Sequence, residues 1–153
     1  MSSLEELKET RLKKLELLKK SGTNPYPSKV PRTFCLFDAK ENFSKEKKEK
    51  EVSLVGRIMA IRGQGAILFV VLYDGKSKFQ AVFKKDEIDE KLFKLFIDTV
   101  DIGDFISVTG KFFTTKRGEQ SILVKLWTMA SKSLLPLPEK WHGLQDLEER
   151  YRH

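Results

Sequence analysis

Few side chains in this sequence have the type and spacing to do chemistry. Cys35 is the only cysteine, so neither an internal disulfide nor a cysteine-rich zinc site can form. His142 and His153 lack a spacing that would put both on one metal ion. No GxxxxGK[ST] phosphate loop, GxSxG elbow or HExxH pair is present, and Gly63-Gln64-Gly65 is not followed by the third glycine of a dinucleotide fingerprint. The acidic pairs Asp86-Glu87 and Asp89-Glu90 fall where a helix is expected and read as its solvated face. Nothing assembles a nucleophile, a base and an orienting group. Contact chemistry is better served. Two apolar runs, Ala66–Tyr73 and Ser77–Phe83, flank Asp74-Gly75, a hairpin turn signal. If Asp74 to Ser77 closes the loop, Tyr73 pairs with Lys78, Val71 with Gln80 and Phe69 with Val82. Side chains alternate along strands, so Phe69, Val71, Tyr73, Lys78, Gln80 and Val82 share one face. Leu68, Val70, Leu72, Phe79, Ala81 and Phe83, all apolar, share the other and form a core. Aromatics interleaved with Lys78 and Gln80 would be a poor core but a good contact surface. An exposed phenylalanine is a stacking platform for a nucleobase, and a glutamine amide offers a donor and an acceptor to a base edge. Arg62 is expected on the adjoining loop. The alternative packs Phe69 beneath Leu36 and Phe37 and leaves Gln80 merely facing solvent.

The elements that must position this face are read from periodicity. Ser3 and Glu6 have capping-box spacing, and Leu4, Leu7, Leu12, Leu15 and Leu18 recur near the helical period. Ser21-Gly22 with Pro25 beyond it ends the helix, predicted from Leu4 to Lys20. Lys13, Lys14, Lys19 and Lys20 crowd its second half, which suits either dipole compensation on a solvated face or contact with a phosphate backbone. Residues 23–50 read as an irregular connecting segment, with Phe34, Leu36 and Phe37 docking it on the next domain. Then come strands at Glu51–Ile61, Ala66–Tyr73 and Ser77–Phe83, and a helix within Asp86–Val100. Two more strands are expected at Phe105–Thr115 and Gln120–Met129, with Gly110 a bulge or bend. Three strands, one helix and two strands is the element order of the OB-fold. The expectation is a mainly β protein: a five-stranded Greek-key barrel with a helix between strands three and four, preceded by an N-terminal helix. An α+β sheet with one covering helix is the rival. The chain divides as 1–22 basic amphipathic helix, 23–50 connector, 51–131 barrel and 132–153 entry to a further domain.

Composition agrees with a soluble binding protein. With 153 residues, 40% hydrophobic and 33% charged, the chain is one domain with room for a helix or tail. Chains of this size bury roughly 70% of their unfolded surface. Lysine and arginine outnumber aspartate and glutamate, 29 to 22, a net charge of +7 that suits a polyanionic partner. No run approaches the ~18 apolar residues of a membrane span, and the N-terminus lacks the basic-then-apolar pattern of a secretory signal. A cytoplasmic location with no membrane partner is expected.

These residues carry a family resemblance. Val55-Gly56-Arg57-Ile58-Met59-Ala60-Ile61-Arg62, through Phe69 and Asp74-Gly75 to Phe79-Gln80, resembles the N-terminal anticodon-binding domain of class II lysyl-tRNA synthetases. Leu135-Pro136-Leu137-Pro138-Glu139-Lys140-Trp141-His142-Gly143-Leu144, then Glu149-Arg150-Tyr151-Arg152, is similar to the junction entering that enzyme's catalytic domain. The barrel half is shared with aspartyl- and asparaginyl-tRNA synthetases; the tail is more particular to the lysyl enzyme. The resemblance implies that Arg62, Phe69, Gln80 and Glu119 contact the anticodon of tRNA(Lys), with Phe69 stacking on a base. It implies a homodimeric lysine–tRNA ligase using ATP and magnesium, whose catalytic domain would come after Arg152. For the 153 residues alone it implies a monomeric, catalytically inactive tRNA-binding piece without cofactor. A freestanding single-strand nucleic-acid module, or an aspartyl or asparaginyl anticodon domain, is the alternative.

Overall fold

The computed structural model describes residues 3–46, 49–63 and 65–137. The expected domain entry from Pro138 to His153 therefore lies outside the described residues. Helix α1 (Leu4–Lys20) starts at the predicted box: Glu6 N donates to Ser3 Oγ at 3.2 Å and Ser3 N to Glu6 Oε2 at 3.1 Å. Its buried stripe is Arg11, Leu15 and Leu18, whereas Leu4, Leu7 and Leu12 are exposed. The expected all-leucine face is thus corrected. Leu12 sits one position off the row formed by residues 11, 15 and 18, and Arg11 holds that place. The connector is not irregular throughout. It contains a short helix, α2 (Leu36–Asn42), which at seven residues leaves too little periodicity to recognise. Leu36 and Ala39 are buried there, but Phe37 is half exposed and does not dock as expected.

Five strands complete the chain's regular structure with one more helix: β1 (Glu51–Arg62), β2 (Ile67–Tyr73), β3 (Lys78–Lys84), β4 (Phe105–Thr114) and β5 (Gln120–Ser131). They form a closed barrel in the order β1-β2-β3-β5-β4, with β3–β5 the one parallel pairing. Helix α3 (Glu90–Thr99) lies between β3 and β4, as the OB-fold order requires. It begins later than Asp86 because Asp89 is its cap, accepting from the N–H groups of Lys91 and Leu92. Asp86-Glu87 stands in the preceding turn rather than on the helix.

The interior is the predicted apolar set, with Val70, Leu72, Ala81 and Phe83 fully buried and Leu68 and Phe79 nearly so. Phenylalanines fill both ends of it. At one end of β3, Phe79 meets Phe43 and Phe112, with Phe34 stacked on Phe112; at the other, Phe83 stacks on Phe96, which meets Trp127 edge-on. Trp127 Nε1 donates to the Leu92 carbonyl at 2.8 Å, which ties α3 to β5. Gly110 marks the predicted irregularity: the β4–β5 register shifts between Thr109 and Gly110. A Cβ there would stand 1.8 Å from the Leu123 carbonyl oxygen, so no side chain fits.

Helix α1 packs against α3 and is held by polar bonds where the barrel ends. The Arg11 guanidinium donates to the carbonyls of Ile102, Ser133 and Leu135. Lys14 pairs with Asp101 at 2.6 Å, and the fully buried Lys132 ammonium lies 2.8 Å from Asp101 and 2.6 Å from Asp104. Burial pushes the Asp101 carboxyl up, but hydrogen bonds and charge from Lys132 and Lys14 outweigh it and hold the pKa below its ordinary value. The folded pKa is depressed, so this stabilisation is complete above the ordinary carboxylate value of about 3.9 and is lost as pH falls through the folded value. Asp104→Ala should cost about 3–5 kcal/mol in urea unfolding, because it removes the fully buried carboxylate facing a fully buried ammonium. Asp101→Asn should flatten the fall in stability below about pH 4, measured by unfolding across a pH series.

Candidate nucleic-acid interface

The β2–β3 hairpin is built as its turn residues require. Asp74 Oδ1 accepts from the N–H groups of Lys76 and Ser77, and Oδ2 accepts from Leu36 N at the start of α2. Burial pushes the Asp74 carboxyl up, yet these N–H bonds outweigh it and hold it below the ordinary range. The register is the one the turn sets: Tyr73 opposite Lys78, Val71 opposite Gln80, Phe69 opposite Val82. Phe69 does not pack beneath Leu36 and Phe37. Leu36 packs beside Gly56 instead, and Phe69 lines an open groove of about 1310 Å³ on the barrel's outer face.

Arg62 reaches that groove from a strand, not from the loop expected of it. It ends β1 and pairs with Phe69. The β1–β2 register shifts between Ile58 and Ala60, so that Met59 is the extra residue of a bulge. Without that shift Arg62 would stand opposite Leu68, on the core face. With it, Arg62, Phe69 and Val82 form one row across three strands, and Ala60, Val71 and Gln80 form the next.

The groove floor is apolar and partly polar. Val82 and Gln80 are buried at its base, Phe69 and Val71 are half-buried, and the β4–β5 hairpin from Phe113 to Gln120 forms the opposite wall. Gln80 is more enclosed than an outward strand position suggests, at 8% exposure, and its Nε2 donates to Ser121 Oγ at 3.0 Å. Glu119 is exposed on the rim; its backbone is pinned by Thr115, whose Oγ1 accepts from Glu119 N and whose N donates to Glu119 O. Arg62, Phe69, Gln80 and Glu119 therefore share one groove. Lys13, Lys14, Lys19 and Lys20 do not line it. Lys14 is engaged by Asp101, and Lys19 lies 4.0 Å from Glu16.

Sequence pattern alone does not single out the other groove residues. Lys84, Lys116, Arg117 and, from α2, Lys40 line the groove with Arg62 and Lys78, against Glu119 as its acid among the described residues. Lys116 and Arg117 are visible in the sequence only as turn residues. Phe113 offers a second aromatic face, with Lys84 Nζ 5.5 Å from its ring centre. Alternation could have found it, since Ile106, Val108 and Phe112 face the core and Phe113 faces out. Such a groove, aromatic and ringed by cations, can track a phosphate backbone and stack bases. The family described as OB-fold nucleic acid binding domain, tRNA anti-codon, matches residues 52–130.

The chain belongs to that family. The chain is also similar, along 97% of its length, to proteins named lysine–tRNA ligase. One from Dehalococcoides mccartyi is 44% identical over 153 aligned residues, one from Carboxydothermus hydrogenoformans 43% over 149, and one from Clostridium perfringens 45% over 150. In each case the chain spans about 30% of the relative's length. Among the described residues no helix is long and apolar enough to cross a membrane. No three His, Cys, Asp or Glu side chains among them gather in a way that could hold a metal ion.

Counterion release gives the groove a measurable signature. Each phosphate contact on a single strand contributes about 0.7 to the slope of log affinity against log salt. Neutralising Lys84, Lys116 and Arg117 together should lower that slope for a single-stranded RNA ligand by up to ~2. The same measurement on the Lys13, Lys14, Lys19 and Lys20 quadruple variant decides the helix: an unchanged slope makes α1 a solvated, structural face.

Proposed function

We propose that this domain binds the anticodon of tRNA(Lys) as part of a lysine–tRNA ligase, which attaches lysine to that tRNA at the expense of ATP. The observation that carries the reading is the convergence in one groove of Arg62, Phe69, Gln80 and Glu119. The family resemblance selects the same four residues. The names of the relatives favour the lysyl enzyme over the aspartyl and asparaginyl ones. In this reading Phe69 stacks on a base of the uridine-rich anticodon, and Gln80 and Glu119 meet base edges. Arg62 holds a base or its phosphate, and the surrounding lysines track the backbone. Lys13, Lys14, Lys19 and Lys20 are candidates for the tRNA backbone beyond the loop. The class II catalytic domain, with its ATP and magnesium, and the homodimer interface belong to the remainder of a cytoplasmic enzyme. The 153 residues by themselves are expected to be monomeric and inactive in ATP–pyrophosphate exchange.

Binding of a lysine anticodon stem-loop tests the reading. Stacking on an aromatic side chain is worth about 1–3 kcal/mol per base. Phe69→Ala should therefore weaken the stem-loop roughly 5- to 150-fold, and similarly for different loop sequences. Glu119→Ala should instead erode preference for the lysine anticodon over its single-base variants, because edge bonds carry the sequence information. Wild-type affinity for an aspartate anticodon loop equal to that for the lysine loop would overturn the assignment of amino acid.

A further inference from the structure

We propose that Ser121 is a positioning residue that turns the Gln80 amide so that its carbonyl oxygen faces the groove, making the site prefer uracil over cytosine. The inference rests on the reading of the groove as a base-binding site. It deepens that reading by naming the residue that gives Gln80 a direction.

The starting point is the parallel pairing of β3 with β5, which sets Gln80 beside Ser121. Ser121 is fully buried, and Gln80 nearly so. A serine hydroxyl has one proton to give and lone pairs to receive. Here Ser121 Oγ lies 3.3 Å from the Glu119 carbonyl, which can only accept, so the proton is directed there. The lone pair is left for Gln80, and the amide must present Nε2, which donates at 3.0 Å. The flipped amide would keep one of these two bonds. Its Oε1 would take the serine proton, and the link to Glu119 would be lost.

The consequence falls on the other end of the amide. Gln80 Oε1 has no hydrogen-bond partner among the described residues. Arg57 Nε is the only fully buried side-chain nitrogen or oxygen among them without a partner, so Oε1 keeps contact with solvent, which it meets in the groove. An acceptor held at that place discriminates by chemistry. At ring position 3 uracil carries an N–H that donates to it, whereas cytosine carries a lone pair that repels it. Cytosine reaches a carbonyl only through its exocyclic amine, at a different point of the ring edge. The same serine joins two proposed contacts, because its proton anchors the carbonyl of Glu119 on the rim.

The test uses this chain and RNA stem-loops that differ by uridine or cytidine at single anticodon positions. Wild type should prefer the uridine loop at the position Gln80 reads. Ser121→Ala frees the amide to turn, and the uridine-to-cytidine preference should fall roughly three- to tenfold, about the effect of one hydrogen bond. Ser121→Cys, close in size but a weak acceptor, should show the same loss and carries the test if the alanine variant does not fold by circular dichroism. In a Gln80→Ala background the serine substitution should leave the preference unchanged, which a merely structural role would not predict. A stem-loop carrying N3-methyluridine, which keeps both carbonyls but has no ring N–H to donate, should bind wild type as poorly as the cytidine loop. An unchanged preference in folded Ser121→Ala or Ser121→Cys overturns the assignment of Ser121 alone. Failure of wild type to bind any loop overturns the base-binding reading, and this inference falls with it.

Discussion

Closure of the sheet is the constraint on which the rest of the molecule depends. Five strands in an open sheet would leave two edges of unpaired N–H and C=O groups. The chain removes both by pairing β1 with β4 and β3 with β5. Within the β4–β5 pair the strands approach very closely at Gly110, where the Leu123 carbonyl occupies the space of a side chain. Closure also produces everything found at the groove. The β4–β5 hairpin becomes a wall opposite Phe69, Glu119 stands on its rim, and Ser121 comes to lie beside Gln80. Neither Glu119 nor Ser121 is close in sequence to the strands it meets.

The basic residues divide into two groups with different work. Arg11, Lys14 and Lys132 are neutralised or hydrogen-bonded at the end of the barrel, around Asp101, Asp104 and the carbonyls of Ile102, Ser133 and Leu135. There they fix α1 and the segment that leaves the barrel in one arrangement, because burying a charge is tolerated only with partners in place. The cations around the groove stay at the surface, and their field adds to a net charge of +7. A basic composition therefore reports a polyanion-binding surface only after the structural cations have been set aside.

Periodicity and turn chemistry make much of the architecture legible without coordinates. The capping box of α1, the Asp74-Gly75 hairpin, the pairing of Phe69 with Val82 and of Val71 with Gln80, and the irregularity at Gly110 are all present as expected. These features are local, and local sterics and hydrogen bonding decide them. The features that periodicity misses are short, or are exceptions to a period. Helix α2 has two turns, Arg11 interrupts a leucine pattern, and Asp89 delays α3 by acting as its cap rather than as part of it.

Amino-acid order alone thus settled which residues are apolar on one strand face, which turn joins β2 to β3, and that an aromatic and an amide share the outer side. Strand alternation and turn preferences need only neighbours along the chain for that. Whether those residues form a site was decided by contacts between distant segments. The extra residue at Met59 turns Arg62 from the core face to the groove, and a bulge is defined only against the partner strand. The parallel β3–β5 pairing encloses Gln80 and gives its amide a donor end and an acceptor end. A side chain's alternation can be counted along one strand, but its burial and its hydrogen-bond partner come from whatever strand the closed sheet brings alongside.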